Sequence, residues 1–117
     1  GGAAARLAGG GAPAQALAIS GDRLFFGTAA GAGVFSVPTT GGAPTSLVEK
    51  GGFGVAADGE HVYFGEYDGR LARVPLGGGD VEVLGIGNGT VSDIALTSKS
   101  VYWTMVGNDG VILKVAK

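Results

Sequence analysis

The sequence contains no cysteine among its 117 residues. This excludes disulfide bonds and thiolate metal sites within these residues. Small animal ectodomains depend on disulfide bonds, so the composition fits a bacterial protein better than a protein of that kind. The bacterial cytosol and the periplasm both remain open as compartments.

Charge is also scarce, because charged residues make up only 15% of the chain and the formal net charge is -2. The eight Lys and Arg residues are scattered and form no run. Nucleic-acid binding needs a concentrated basic surface, so we expect no nucleic-acid partner. No segment is both basic and amphipathic at helical spacing, which argues against a helix lying on a membrane surface.

The uncharged stretch 24–48 has the length of a membrane span. Its five glycines and two prolines would break a helix repeatedly, so strands and turns are favoured and no membrane span is predicted. Residues 1–16 lack a basic start followed by an apolar run, so no signal peptide is visible. Because residue 1 is Gly and not Met, we expect a piece of a longer chain.

Glycine is abundant, with 25 residues, and hydrophobic residues make up 45% of the chain. A disordered chain would be poor in apolar residues and rich in charge. The glycines lack a period of three, which excludes collagen. The combination is typical of many short strands joined by tight turns.

An internal repeat of about 38–40 residues runs through the chain, close to the length of one propeller blade. Its units align without a gap at Leu17, Val55 and Ile94. Each then continues into an aromatic pair: Phe25-Phe26, Tyr63-Phe64 and Tyr102-Trp103. A third apolar segment and a Gly-Gly turn follow, so each unit reads as four strands, named a to d in chain order.

The predicted fold is all-β, built from β-propeller blades that are four-stranded antiparallel sheets. Strands a and b are apolar at consecutive positions, so both faces of each sheet should be buried. Asp58-Gly59 and Asp68-Gly69 suit hairpin turns, in which Gly adopts positive φ. The domain is a partial propeller: 1–13 is the outer strand of a preceding blade, 14–52 and 53–90 are blades, and 91–117 holds the first three strands of another.

About three blade-equivalents are present, and a closed ring usually has four to eight blades. Two sheet faces should therefore lack a neighbour. Two explanations stay open: further blades in a longer chain, forming a six-bladed or larger ring, or self-association in which two copies build a six-bladed ring.

Residues 101–104 read Val-Tyr-Trp-Thr and 107–110 read Gly-Asn-Asp-Gly. This segment resembles the YWTD-type propeller repeat, a family of six-bladed propellers. The whole repeat is also similar to glycine-rich propellers of bacterial secreted and lipoprotein-like chains and, more loosely, to NHL repeats. The resemblance implies a bacterial, extracytoplasmic protein. The family's Asp is replaced by Thr28, Glu66 and Met105, so its hydrogen bonds are not carried over.

The remaining motifs have simpler interpretations than catalysis. The aromatic pairs are predicted to be core, because they recur in a strand expected to lie between blades. His61 has no second His or Cys as a co-ligand, so we expect a solvated turn residue. The carboxylates show no D-x-D-x-D-G pattern, and no nucleophile elbow is present. No metal, cofactor or catalytic residue is predicted.

Any binding site should lie where the d–a connections and the b–c turns share one rim, because loops on a rigid scaffold usually carry function. The groups at this rim are Gln15, Lys50, Phe53, Glu66, Tyr67, Asp68, Asn88, Ser92, Asp93 and Asn108. The candidate binding residues are Phe53, Tyr67, Glu66, Asp68, Asn88 and Asp93.

The function favoured by the sequence is a non-catalytic repeat module that presents loops to a protein or glycan partner. The alternative is a fragment of a metal-dependent propeller enzyme of the lactonase or hydrolase type, with its ligands supplied by other blades. A third possibility is a purely structural repeat array without a ligand.

Overall fold

The computed structural model describes residues 2–7, 14–28, 31–107 and 110–117, and these residues contain strands and turns but no helix. None of them could therefore form a helical membrane crossing. The strands are β1 (Ala14–Ser20), β2 (Arg23–Thr28), β3 (Val34–Pro38), β4 (Thr45–Val48), β5 (Phe53–Ala57), β6 (His61–Gly65), β7 (Arg70–Pro75), β8 (Glu82–Ile86), β9 (Thr90–Leu96), β10 (Ser100–Val106) and β11 (Ile112–Ala116).

The strands form three antiparallel meanders: β1–β4, β5–β8 and β9–β11. Within each sheet, every strand pairs with the strand that follows it in the chain, as expected for strands a to d of a blade. The architecture confirms the predicted all-β class with propeller-type sheets. β5 packs against both β1 and β9, so the first strands of the sheets lie side by side.

The stretch 1–13, expected to hold an outer strand, is described only in part. Residues 2–7 form no strand. The carbonyl of Leu7 accepts a hydrogen bond from the N–H of Gly42 at 3.3 Å, which ties this segment to the c–d turn of the first sheet. Residues 1 and 8–13 lie outside the described residues, so the outer strand stays a prediction.

The Asp-Gly turns are stabilised in two different ways. Gly69 has a φ of +88°, as the sequence predicted for a tight turn. Gly59 does not have positive φ. The side chain of Asp58 stabilises that turn, because its Oδ1 accepts hydrogen bonds from the N–H groups of Glu60 and His61, both at 2.8 Å.

Two hydrophobic clusters hold the sheets together. The first lies between the first and second sheets and includes Phe25, Val62 and Phe64. The other lies between the second and third sheets and includes Tyr63 and Trp103. The second sheet therefore buries both faces, as the consecutive apolar residues predicted.

The aromatic pairs are core residues only where a neighbouring sheet covers them. Phe25, Tyr63, Phe64 and Trp103 are buried, in agreement with the prediction. Phe26 and Tyr102 are only half-buried. Phe26 lies on the outer face of the first sheet and Tyr102 on the outer face of the third, where no described residue forms a further sheet.

Candidate functional site

The d–a connections lie beside the b–c turns. In the first sheet the N–H of Gly51 donates to the carbonyl of Gly31 at 3.0 Å, and the N–H of Gly33 donates back to Gly51 at 3.1 Å. In the second sheet the N–H of Gly87 donates to the carbonyl of Gly69 at 2.9 Å. These hydrogen bonds bring the two kinds of loop together at one rim of the molecule.

A cleft of about 190 Å³ opens at this rim between the first and second sheets. We call it the rim cleft. Its walls are Gly31, Lys50, Gly51, Phe53, Glu66, Tyr67 and Asp68. The first three residues come from the loops of the first sheet, and the others come from β5 and the b–c turn of the second sheet.

Two aromatic side chains form the centre of the rim cleft. The rings of Phe53 and Tyr67 have centroids 5.9 Å apart and are tilted by 58°, within the range of favourable aromatic pairs. Phe53 is half-buried, packs against the second hydrophobic cluster and lies directly over Gly31. Tyr67 is 80% exposed. The half-buried ring of Phe53 thus supports the exposed ring of Tyr67.

The turn that carries Tyr67 is closed by several hydrogen bonds. The N–H of Glu66 donates to the carbonyl of Arg70 at 2.8 Å, and the N–H of Gly69 donates to the carbonyl of Glu66 at 3.1 Å. Asp68 accepts from the N–H of Arg70 at 3.3 Å and forms an exposed ion pair with its guanidinium at 3.2 Å. Tyr67 therefore projects from a braced turn.

The charges around the rim cleft have both signs. Glu66 is only 8% exposed, whereas Lys50 and Asp68 are exposed. Because the acidic and basic groups are mixed, the cleft has no concentrated positive charge of the kind that phosphate groups require. It offers carboxylate acceptors and one ammonium donor beside the aromatic pair.

The structure brings together four of the six predicted binding residues: Phe53, Glu66, Tyr67 and Asp68. Asn88 is exposed in the next d–a connection and does not line the rim cleft. Asp93 lies on the outer face of the third sheet, where its Oδ1 accepts from the N–H of Ile94 at 3.0 Å. Asn108, also expected at the rim, lies outside the described residues.

A second groove, of about 260 Å³, runs along the first strands of the three sheets. A β-bulge interrupts each of these strands near its start, at Gln15, Gly54 and Ser92. All three bulged residues line the groove, and Phe53 forms part of its wall as well as part of the rim cleft. Bulges often redirect side chains near functional sites. The sequence placed Gln15 and Ser92 at the rim but did not indicate the bulges.

A polar cluster that the sequence did not predict links the second and third sheets at the a–b turns. The Asp58 carboxylate accepts from Lys117 Nζ at 2.9 Å and from the hydroxyl of Tyr63 at 2.8 Å. Arg73 lines the same cavity of about 580 Å³. It pairs with Glu82 at 2.7 Å. No local sequence signal could have joined Asp58 to Lys117, because 59 positions separate them.

The hydrogen bonds of this cluster control its protonation. Burial raises the pKa of Asp58, but the hydrogen bonds from Lys117, from the backbone of Glu60 and His61, and from Tyr63 lower it more, so the net pKa lies well below its ordinary value. Burial and the hydrogen bond to Asp58 raise the pKa of Tyr63. The pair is therefore held as carboxylate and phenol.

His61 differs from its prediction as a solvated turn residue. It begins β6, is half-buried, and pairs in register with Pro75 of β7. Its ring lies 6.1 Å from that of Tyr63. The strand starts earlier than the sequence suggested, because the Asp58 side chain already closes the turn at the N–H of His61.

Among the described residues, no three His, Asp or Glu side chains are placed together as metal ligands. The described residues therefore supply no set of metal ligands for the metal-dependent enzyme that the sequence left as an alternative.

Comparison with known proteins gives a structural relative but no sequence family. No protein-family profile and no curated protein matches the chain. The fold is similar to that of BamB from Moraxella catarrhalis, with a TM-score of 0.66 and 15% sequence identity over 86% of this chain. The chain spans only 30% of the length of that protein. At this identity the likeness concerns the fold alone, and it shows that these residues form part of a β-propeller-type repeat.

Proposed function

We propose that this chain is a non-catalytic propeller module that binds a protein partner through the rim cleft, with Tyr67 as the anchoring side chain. The observation that carries the proposal is the exposed Tyr67 ring, held above Phe53 on a hydrogen-bonded turn. Tyrosine is enriched among the residues that dominate interface energies, because it offers a large contact area with few rotatable bonds.

The repeat itself does not account for this aromatic pair. The positions that align with Phe53 are Gln15 and Ser92. The positions that align with Tyr67 are Ala29 and Val106. Residues required by the blade architecture recur in every unit, as the paired rings of strand b do. Phe53 and Tyr67 occur in one unit only, which favours a role in recognition.

The size of the rim cleft favours a protein segment over a small molecule. Pockets for drug-sized ligands usually measure about 300–1,000 Å³. The rim cleft measures about 190 Å³, which is enough for one inserted side chain. The mixed charges of Lys50, Glu66 and Asp68 are suited to the polar rim of a protein interface.

A glycan is the second candidate, and the position of Tyr67 beside two carboxylates favours it. The C–H face of a sugar ring packs well on an exposed aromatic ring, and sugar hydroxyls donate hydrogen bonds to carboxylates. Glu66 and Asp68 flank Tyr67 on the same turn and could accept such bonds.

The organism type, the compartment and the repeat family are also proposed. We propose that the protein is bacterial and works outside the cytoplasm, and that its units are YWTD- or NHL-like. The absence of cysteine supports a bacterial origin, and the Val-Tyr-Trp-Thr segment at 101–104 and the likeness of the repeat to bacterial secreted chains support the rest. The division into units at 14–52, 53–90 and 91–117 rests on the same alignment.

Binding assays with matched variants test the rim cleft. The immobilised chain is exposed to a bacterial envelope extract and, separately, to a glycan array, and the affinity of each captured species is measured by calorimetry. Tyr67→Ala should weaken binding by about 30-fold, as expected for an interface anchor. Ile86→Ala is the control, since Ile86 is a similarly exposed apolar side chain outside the cleft. Equal affinity for Tyr67→Ala and the unaltered chain would refute the assignment of this cleft.

A further inference from the structure

The two sheet contacts within the molecule follow one rule. We call the face of a sheet that is directed toward the preceding sheet in the chain its leading face. The opposite face, directed toward the following sheet, is its trailing face. In strand b the leading residues are Val62 and Phe64 in the second sheet, and Val101 and Trp103 in the third. The trailing residues are Phe25 in the first sheet and Tyr63 in the second.

The leading face of the first sheet is apolar but is not covered by a described sheet. Leu17, Phe26 and Phe35 form one cross-strand row, and the rings of Phe26 and Phe35 stack at 5.5 Å. Ile19 and Leu24 form the next row. Leu17 is 67% exposed and Ile19 is 61% exposed. Residues at the aligned positions of the second sheet pack on the first sheet. In the order Leu17, Phe26, Phe35, Ile19 and Leu24, the aligned residues are Val55, Phe64, Ala72, Ala57 and Val62.

The trailing face of the third sheet repeats the apolar centre of the other half of the contact, although Lys114 lies 5.5 Å from the Tyr102 ring and Asp93 is on the same face. Its central residues are Ala95, Tyr102 and Ile112. They align with Ala56, Tyr63 and Leu71 in the second sheet, which belong to or pack on the second cluster. They also align with Ala18, Phe25 and Val34 in the first sheet, which belong to or pack on the first cluster. Ile112 is 73% exposed.

We propose that the leading face of the first sheet binds the trailing face of the third sheet of a second copy of this chain. Every internal sheet contact pairs one leading face with one trailing face, and the three described sheets leave one face of each kind without a partner sheet. Each contact therefore joins two different faces, and a two-fold axis relates the two equivalent contacts of a pair. Two copies of the three described sheets supply six, within the four to eight of closed propellers, whereas three copies would supply nine. The assembly is a closed pair with two such contacts.

The contact between copies also differs from the internal contacts in how closely the sheets can approach. Gly27 and Gly65 allow the next sheet to approach closely, because an added Cβ would collide with Gly52 or with Val91. Thr104 occupies the aligned position in the third sheet. Its side chain holds the second copy further away at that end, so the pair should separate more readily than the internal sheets.

Sedimentation equilibrium over a wide range of protein concentration tests the proposal. The unaltered chain should reach the mass of two copies of 11.4 kDa each. Leu17→Asp and Ile112→Asp should each raise the dissociation constant by about 100-fold, because each buries an unpaired charge. Ile86→Asp is the matched control, since Ile86 is 71% exposed but belongs to neither outer face, and it should keep the mass of two copies. Circular dichroism checks that each variant is folded, and Leu17→Ser and Ile112→Ser replace any that is not.

Mixing the Leu17→Asp and Ile112→Asp variants distinguishes this contact from one in which two identical faces meet. The Leu17→Asp copy retains a sound trailing face and the Ile112→Asp copy a sound leading face, so together they should form one good contact and regain part of the association. A single-copy mass for the unaltered chain at every concentration would overturn the proposal, as would an Ile112→Asp variant that still pairs. The rim cleft plays no part in this contact, so Tyr67→Ala should keep the mass of two copies, and the two proposals can fail separately.

Discussion

Asp58 shows how one residue can serve both local and tertiary structure. One carboxylate oxygen accepts from the N–H groups of Glu60 and His61 and closes the a–b turn. The other accepts from Tyr63 and from Lys117 at the far end of the described chain. The carboxylate side chain is 25% exposed, so solvent screens these interactions only in part.

Acid should destabilise the protein through Asp58. Because the folded pKa lies below the unfolded value, the carboxylate contributes in full above the ordinary Asp pKa of about 3.9, and this contribution is lost as the pH falls through the folded pKa. The free energy of unfolding, measured with urea, should therefore decline below about pH 5. Asp58→Asn should lower it at pH 7 by about 1–3 kcal/mol and flatten the acid decline.

Tyr63→Phe is the companion variant for this experiment. Phe25 already occupies the aligned position in the first sheet, so the ring should fit without rearrangement. The variant removes one hydrogen bond and should cost about 1 kcal/mol, with the acid decline largely kept. Parallel acid curves for Asp58→Asn and the unaltered protein would show that another group controls the decline.

At the scale of the strand, close packing between sheets depends on Gly at the end of strand b. Gly65 faces Val91 of β9, and Gly27 faces the backbone at Gly52. Neither glycine has positive φ. The requirement is therefore space between neighbouring sheets, and the backbone conformation itself would accept any residue.

Gly65→Ala should destabilise the protein by about 1–3 kcal/mol, the usual cost of overpacking a core. Gly59→Ala is the control, because Gly59 has no positive φ and an added Cβ would meet no atom within 4 Å. That variant should be neutral or stabilising by up to about 1 kcal/mol, through reduced freedom of the unfolded chain. Urea unfolding measures both changes. Equal stability of the two variants would show that β6 and β9 can move apart without cost.

At the scale of the whole molecule, the described residues form three sheets that meet along their first strands, with an uncovered face on each outer sheet and the rim cleft between the first and second sheets. Each internal sheet contact is a hydrophobic cluster, so the fold is stabilised by repetition of one interface. The outer faces carry apolar residues that align with those of the internal contacts, including Leu17 on the first sheet and Ile112 on the third, which is the basis for pairing of copies. The rim cleft departs from the repeat, which is the basis for recognition.

Removal of divalent metals should leave the protein unchanged. The described residues hold no group of three or more metal-ligating side chains. We expect EDTA to shift the melting temperature by less than about 1 °C, and added calcium or zinc to raise it no further, since only a ligand that binds the folded state stabilises it. Calorimetry makes the measurement. A rise of several degrees with a metal, reversed by EDTA, would favour the metal-dependent enzyme instead.

The sequence predicted the strands of the three sheets, their order within each sheet and the burial of both faces of the middle sheet, whereas the outer strand expected in 1–13 stays a prediction. It could do so because these features depend on near neighbours: apolar residues at consecutive positions, and Gly or Asp at the turns. It also placed Phe53, Glu66, Tyr67 and Asp68 on one rim, because the repeat sets which loops lie at which end of a blade. It did not separate Asn88 and Asp93 from that group.

The sequence by itself determined the repeating unit, since each sheet is a meander whose apolar strands and Gly- or Asp-containing turns lie within about 40 consecutive residues. Only the tertiary structure decided which side chains meet between units. The support of Tyr67 by Phe53, the pairing of Asp58 with Lys117, and the need for Gly at 27 and 65 all depend on how closely neighbouring sheets pack. That distance is set by the side chains of two sheets together, so no single stretch of sequence encodes it.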